Sequence, residues 1–493
     1  MPKMLNIVSI ASEIAPFAKT GGLADVARSL PKALRRLGHQ VIVVMPFYGK
    51  IIDCKEHNLI SLHKDVVISI AGKEIGVVNF WQGYLMNGLP IYFVEHKKFF
   101  SQRKQLYGYP RENARFMLFD AAVLRLLTLL KYPADIIHCH DWQTGLVPYL
   151  LKTDYRYSKI LQNAKSIYTI HNLVFQLGHN WWEVPPENKD FGKKQLPDIN
   201  STEIEYINFA KRGILNADIV NTVSEQYREE IMTKHFGQDL DKILRSRENS
   251  LYGIINGIDY KAFNPSVDKS LHRNFDHRKI HRKKLNKQHL QQQFGLPIDV
   301  DIPLFCTTSR VTFQKGFKLI SELMDQIMHH DVQMIILGAG DKQYIKELKK
   351  KAKRFPKKLV VIPSHEQTLR YETSVYAGAD FFLLPSHQEP CGINQLKAMR
   401  YGCIPIVRRV GGLHDTVKNY NPKLQNGTGF TFNQFDVWGL YEAIIRALES
   451  SKYKNEWRNL VVRAMKQSNS WELPAQKYIT LYRKALIIGD KKS

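Results

Sequence analysis

Lys19-Thr20-Gly21-Gly22-Leu23-Ala24-Asp25-Val26 stands directly behind the strand-like run 5–11. A buried strand that breaks into a loop with two adjacent glycines and then enters a helix suits one task. The missing β-carbons let backbone N–H groups approach a ligand closely, and the helix N-terminus adds partial positive charge. Lys19, just before the glycines, adds a full cation. Together these groups read as a seat for the phosphates of a nucleotide. The spacing is not the six-position glycine fingerprint of dinucleotide binders, and no Gly-Lys-Ser/Thr follows to make a P-loop. A Gly-Gly turn is weak evidence by itself, and a plain strand–helix turn with a solvated lysine fits the same spacing.

Outward from this loop, short apolar runs alternate with helical patterns, the mark of parallel α/β construction. In the first half, runs 40–45, 91–95, 135–139, 165–169 and 218–222 continue the strands, with helices over 23–37 and 114–130. Pro31 predicts a kink in the first helix. Runs 65–70 and 74–81, separated by Ala71-Gly72-Lys73, read as a hairpin appended to the sheet. The series restarts at Ile254-Ile255 and continues as strands 304–309, 333–337, 359–362, 381–384 and 404–407. Helices over 317–329, 341–353, 389–401 and 437–449 alternate with them. The pattern is α/β, with two Rossmann-like domains at 1–250 and 251–470 and a helix-like terminal segment at 471–493. Open sheets of this kind bind ligands outside the carboxyl ends of their strands. Residues 178–191 are poorly periodic and read as a long loop. Its Trp181 and Trp182 suit a sugar-stacking platform and a packing role equally.

The 493 residues exceed one ordinary core and suit two domains of similar size. No apolar run approaches the roughly 18 residues of a membrane-spanning helix. Glu13 interrupts the apolar start and Lys19 follows at once, which argues against a signal peptide. The five cysteines are odd in number, scattered and without a C-x-x-C pair. Free thiols in a reducing cytoplasm, and no structural zinc, are the expectation. The net charge of +25 concentrates at 269–287 and 342–358. No zinc finger or aromatic RNP pattern accompanies it, so it reads as a solvated surface that attracts an anionic substrate rather than nucleic acid.

The string 12–34, SEIAPFAKTGGLADVARSLPKAL, closely resembles the N-terminal signature of bacterial glycogen synthases and plant starch synthases. His140-Asp141-Trp142-Gln143-Thr144-Gly145-Leu146, Thr169-Ile170-His171-Asn172-Leu173 and Asn256-Gly257-Ile258-Asp259 follow in that family's order. So do the stretches from Ser309 to Gly316, Leu337 to Asp341, Pro385 to Gly392, and Arg408 to Val417. The resemblance covers essentially the whole chain. It implies the GT-B fold, in which an acceptor-side N-terminal domain and a nucleotide-sugar-binding C-terminal domain face a cleft. It also implies that the terminal helix returns to the first domain. The implied reaction moves glucose from ADP-glucose to the non-reducing end of an α-1,4-glucan such as glycogen, with retention of configuration. UDP-glucose as donor, and a non-catalytic glucan- or anion-binding protein on the same scaffold, stand as alternatives. ADP-glucose is a substrate, so no cofactor or metal is expected. A homo-oligomer is left open.

Glucosyl transfer from a nucleotide diphosphate requires neutralisation of the leaving pyrophosphate. Arg310 and Lys315 share one strand-exit loop, and a guanidinium with a nearby ammonium suits a diphosphate. Glu389 precedes Pro390-Cys391-Gly392, expected to open a helix whose amides at Cys391, Gly392 and Ile393 face phosphate or sugar oxygens. The resemblance implies that Glu389 contacts glucose hydroxyls. Lys397 stands where many related retaining transferases carry a second glutamate, and no nucleophile partner for Glu389 is legible. The implied retention therefore rests on same-face attack assisted by the leaving phosphate. By the same resemblance His140 joins Arg310, Lys315 and Glu389 as catalytic, while His138 stays structural. Lys19, Thr20, Gly21, Gly22, Asp25 and Asn172 join the donor site, and His171 lines the same cleft. Glu112-Asn113, where the family has Asp-Asn, is expected at the acceptor or sugar. The Asp239-x-Asp241 and Asp299-x-Asp301 pairs read as solvated turns rather than metal ligands.

Overall fold

β1 (Asn6–Ile10) is apolar on both faces and buried from Ile7 onward, which is what a central parallel strand requires. In the computed structural model, which describes residues 3–85 and 88–490, it lies inside a nine-stranded sheet. The other strands are β2 (Gln40–Pro46), β3 (Ile60–Ile70), β4 (Lys73–Leu85), β5 (Leu89–Glu95), β6 (Ile136–His140), β7 (Lys165–Ile170), β8 (Ile219–Thr222) and β9 (Leu251–Gly253). Their order is β3-β4-β5-β2-β1-β6-β7-β8-β9. β1 pairs with β2 on one side (Ile7 opposite Val41) and with β6 on the other (Ile7 opposite Ile136), both parallel. The strand order therefore reverses at β1, and the crevice beyond its carboxyl end is where such sheets bind ligands.

The helix Gly22–Arg36 runs through Pro31 and buries Leu23, Val26, Ala27, Leu30 and Leu34. β3 and β4 form an antiparallel hairpin that turns at Ala71-Gly72 and extends the sheet edge beyond β5. It is longer than the runs 65–70 and 74–81 suggest. The terminal helix Glu472–Asp490 packs against the helix Gly22–Arg36 and β7. Two tyrosines anchor it: Tyr482 Oη lies 2.8 Å from His138 Nδ1, and Tyr478 Oη accepts from Asn221 Nδ2 at 3.0 Å. This sheet and the terminal helix make one compact unit, Met1–Asn256 with Trp471–Ser493.

The strand expected at Ile254-Ile255 is not formed. The chain instead adds β9 to the first sheet, Val220 opposite Leu251, and ends it at Gly253. A β-carbon on Gly253 would fall 2.3 Å from the Ser224 carbonyl oxygen, so only glycine permits this approach. Tyr252-Gly253 carries no strand periodicity, which hides the element.

The second unit, Gly257–Ser470, holds β10 (Leu304–Thr307), β11 (Gln333–Leu337), β12 (Leu359–Ile362), β13 (Phe381–Leu384), β14 (Ile404–Arg408) and β15 (Phe430–Phe432). All pair in parallel, in the order β12-β11-β10-β13-β14-β15. Order reverses again, now at β10, between β11 and β13. The helices Phe317–His329, Lys342–Arg354 and Val437–Lys452 follow the expected periodicity, while His365–Gly378, Lys454–Lys466 and β15 add to it.

Candidate active site

At the β1 exit of the first unit, the amides expected to cradle a phosphate are turned onto an internal anion. Glu13 is 3% exposed, and its Oε2 accepts from the Thr20 N–H at 2.5 Å and the Thr20 hydroxyl at 2.8 Å. The Gly21 N–H also bonds this carboxylate, while burial pushes its pKa up. Lys19 Nζ sits 2.8 Å from each Asp25 oxygen, both side chains partly exposed. Gly22 opens the helix behind them. Lys19 and Asp25 thus form one pair at the exposed rim, and Thr20 and Gly21 a second network with Glu13. Sequence reading passed over Glu13 because it lies before the glycines, inside an apolar run.

At the neighbouring exits of β6 and β7, His140 is fully buried. Its Nε2 is 3.3 Å from Ser9 Oγ, and its Nδ1 is 2.9 Å from His171 Nε2. The His138 ring lies 4.0 Å away, held by Thr169 and Tyr482. Burial pushes His138 and His171 down to about 3 and lowers His140 as well, so all three are neutral at physiological pH. Both ring nitrogens of His140 are thus engaged within the fold, by Ser9 and His171. Asp141 adopts φ +60°, a conformation rare outside glycine and held here by tertiary contacts. Its Oδ1 accepts the amides of His171 at 2.7 Å and Asn172 at 3.3 Å, and burial pushes its pKa up to about 7. Asp141 orients both residues, a role its place between His140 and Trp142 could have signalled.

Glu112 and Asn113, expected at the acceptor or sugar, are both buried and engaged within this unit. Glu112 is 3% exposed, and its Oε1 accepts from buried Arg115 at 2.7 Å and from the Tyr109 amide at 3.0 Å. Asn113 is fully buried. Its Nδ2 donates to the Ile204 and Ile207 carbonyls, and its Oδ1 accepts the Gly178 amide at 2.8 Å. Asn113 thus clamps the segment 178–207, as a buried amide must find partners within the fold, whereas Glu112 Oε2 is buried without one. Within that segment Trp181 packs beside Gln176, Asp190 and Tyr206, whereas Trp182 is 53% exposed.

In the second unit, Arg310 stands exposed after β10, and Lys315 Nζ meets Glu389 Oε2 at 2.5 Å. Ser386 donates to the same Oε2 at 3.1 Å. The contact follows from backbone packing. Gly316 has φ +79°, and a β-carbon there would fall 2.0 Å from the Pro385 carbonyl oxygen. The His387 amide donates to the Gln314 carbonyl at 2.9 Å, fastening the β10 and β13 exit loops together. Gly411 and Gly412 press against the other side, where β-carbons would come within 2.0 Å of Glu389 O and 1.9 Å of Cys391 O.

The helix expected over 389–401 is shorter, Asn394–Arg400, with Ile393 as its N-cap. Gly392 at φ +69° breaks the helical path, and Gln395 Nε2 donates to the Cys391 and Gly392 carbonyls. Cys391, Gly392 and Ile393 therefore form a loop wall rather than a first helical turn. Lys397 pairs with Glu372 at 2.9 Å and lies over the Phe263 ring. Of the two Asp-x-Asp pairs, Asp239, Asp241 and Asp301 are engaged by Lys189, Arg245 and Lys454. Among the described residues, no group of three or more His, Cys, Asp or Glu is disposed to hold a metal ion.

Residues 6–246 match the starch synthase catalytic domain family, and residues 289–460 match glycosyl transferases group 1. The glycogen synthase of Pseudothermotoga lettingae is 38% identical over 98% of this chain and 99% of its own. That of Bacillus anthracis is 39% identical over 97% and 99%. The catalytic domain of starch synthase IV from Arabidopsis thaliana, bound to ADP and acarbose, is 33% identical with a TM-score of 0.86. That match covers 98% of this chain and 100% of that one. A sucrose-phosphate synthase from Thermosynechococcus elongatus, 20% identical over 97% and 98% with a TM-score of 0.61, shares the fold alone. The chain thus belongs to the glycogen and starch synthase family of GT-B glycosyltransferases.

Proposed function

We propose that this chain takes glucose from ADP-glucose and adds it, with retention, to the non-reducing end of an α-1,4-glucan. The observation that carries the chemistry is Lys315 Nζ, 2.5 Å from Glu389 Oε2, on a loop shared with exposed Arg310. Two cations on one loop, Lys315 among them held by Glu389, meet the charge that grows on the leaving diphosphate, and preorganised electrostatics of this kind is usually the largest catalytic contribution. Lys315 and Ser386 both occupy Oε2 of Glu389, which leaves Oε1 to accept from a sugar hydroxyl. Lys19, paired with Asp25 in the free chain, is a further cation available to phosphate.

The position where related transferases place a second acid holds Lys397, itself bound to Glu372. Attack on the same face, assisted by the leaving phosphate, is the course these groups support, with no metal assigned a step. The ADP and acarbose carried by the Arabidopsis relative support a nucleotide-sugar donor and a glucan acceptor. Five free cysteines accord with action in the cytoplasm. Among the described residues no helix is long and apolar enough to cross a membrane.

Radiolabelled glucose transfer onto glycogen tests the reading. ADP-glucose should be the better donor, with UDP-glucose well behind. A reversed preference replaces the donor, and glycogen binding without transfer from either would make the chain a binding protein.

A further inference from the structure

We infer that Glu13 is a positioning residue for the nucleotide-sugar donor: its buried carboxylate holds the Lys19–Gly22 loop in its binding shape before any phosphate arrives. The inference rests on the functional reading above, and it concerns a residue that none of the expected site roles includes. Three donors of the loop, the Thr20 amide, the Thr20 hydroxyl and the Gly21 amide, turn onto this one carboxylate. Such a loop, exposed from Thr20 to Gly22 and containing two glycines, has many conformations open to it in isolation. A fixed internal anion selects one of them.

The arrangement leaves the loop's cation on a separate partner. Lys19 is held by Asp25 and not by Glu13, so an incoming phosphate can draw on Lys19 and the Gly22 end of the helix without displacing Glu13. Burial fixes the carboxylate itself. Glu13 is 3% exposed, between the β1 exit and the loop it holds. The preceding Ser12 hydroxyl is tied to Tyr107 at 2.7 Å, and the Ser12 carbonyl accepts from Tyr48 at 2.8 Å, so the backbone leading into Glu13 is anchored. The opposite possibility is a competitor: an anion that fills the phosphate seat and must be expelled. The two give opposite signs when the carboxylate is removed.

The experiment compares wild type, Glu13→Ala and Glu13→Gln. Steady-state kinetics are run separately for ADP-glucose and glycogen, and amide hydrogen exchange at Thr20–Gly22 is followed on the ligand-free proteins. Both Thr20 contacts end on a single oxygen, so the amide oxygen of Gln can accept them and should largely restore the loop. Glu13→Ala should raise the KM for ADP-glucose about tenfold or more, leave the KM for glycogen near wild type, and speed exchange across the loop. Glu13→Gln should lie within about threefold of wild type on each measure. A lowered KM for ADP-glucose in Glu13→Ala would identify a competitor and overturn the proposal. So would unchanged exchange, or equal damage to both substrates in both variants. Exchange is read without any substrate, so a chain that transfers no glucose would refute the functional reading while this loop measurement still decides Glu13's hold on it.

Discussion

At the residue scale the decisive contact is Lys315 on Glu389, because it places a cation and a carboxylate on exit loops of neighbouring strands. Lys315→Ala should cut turnover by about 10²–10³ while the KM for glycogen and the circular dichroism spectrum stay near wild type. Comparable turnover in the variant would remove Lys315 from the chemistry. Asp141 makes a second prediction through pH. Its pKa is pushed from 3.8 up to about 7 by burial, against the amides of His171 and Asn172 and with Glu13 as an added negative neighbour. The folded chain therefore keeps a proton that the unfolded chain releases, and stability is lost as pH rises from about 4 through about 7. Asp141→Asn keeps an acceptor for both amides and the same shape in the strained turn, but carries no buried charge. Its stability advantage over wild type, read from thermal melts, should be larger at pH 8 than at pH 5 by on the order of 1–3 kcal/mol, and should vanish only near pH 4. An equal difference at both pH values would show that ionisation is not the cause.

At the scale of elements, two anchors can be tested by a single atom or methyl group. Tyr482→Phe leaves buried His138 Nδ1 without its partner on the terminal helix and should cost about 1–3 kcal/mol, read as a lower melting temperature. Gly412→Ala places a β-carbon 1.9 Å from the Cys391 carbonyl oxygen, so the loop carrying Glu389 must shift. Activity should fall well below wild type with little change in secondary structure, and an active variant would mean the loop has room to spare. The same elements show what a sequence reveals. The helix Phe317–His329 was legible to the residue because an apolar stripe follows Gly316. Strands such as Gln333–Leu337 were legible because both faces are buried, making them continuous apolar runs. The loop at 389–393 was not. Helical periodicity runs straight through it, and only the packing of Gly411 and Gly412 against Glu389 and Cys391, about twenty residues later, dictates the left-handed turn at Gly392. The candidate site is legible where a charged residue follows a strand, as at Arg310 and Lys315. Its contacts are hidden where the groups are buried: Glu13 within the apolar start, Asp141 in a strained turn, and His140 against His171. Asn113 shows the converse, since a residue that looks available in a motif is enclosed by the segment it clamps.

At the scale of the whole molecule, charge is the property that neither the fold nor the site explains. Seventy-one Lys and Arg against forty-six Asp and Glu leave +25, and the substrate proposed here is an anion. The helix Lys342–Arg354 shows how this charge is deployed. Leu348 is its buried residue, while Lys342, Lys346, Lys349, Lys350 and Lys353 lie exposed. The helix carries a single aromatic, half-buried Tyr344, which is too little for the row of stacking rings of a single-strand binder, so the helix acts through its field. A field of one sign raises the encounter rate with an anionic substrate, and salt screens it over about 10 Å at 0.1 M. The kcat/KM for ADP-glucose should therefore fall as salt rises from about 0.02 to about 0.3 M, while kcat, which reports on bound substrate, changes little. Reversing Lys346, Lys349, Lys350 and Lys353 to Glu together changes the net charge by about eight units without touching the groups around Glu389. That variant should show a shallower salt dependence and a lower kcat/KM at low salt, converging on wild type at high salt. If wild type and variant instead share one slope, the long-range field does not steer the donor, and the basic helix serves only to keep its face in water.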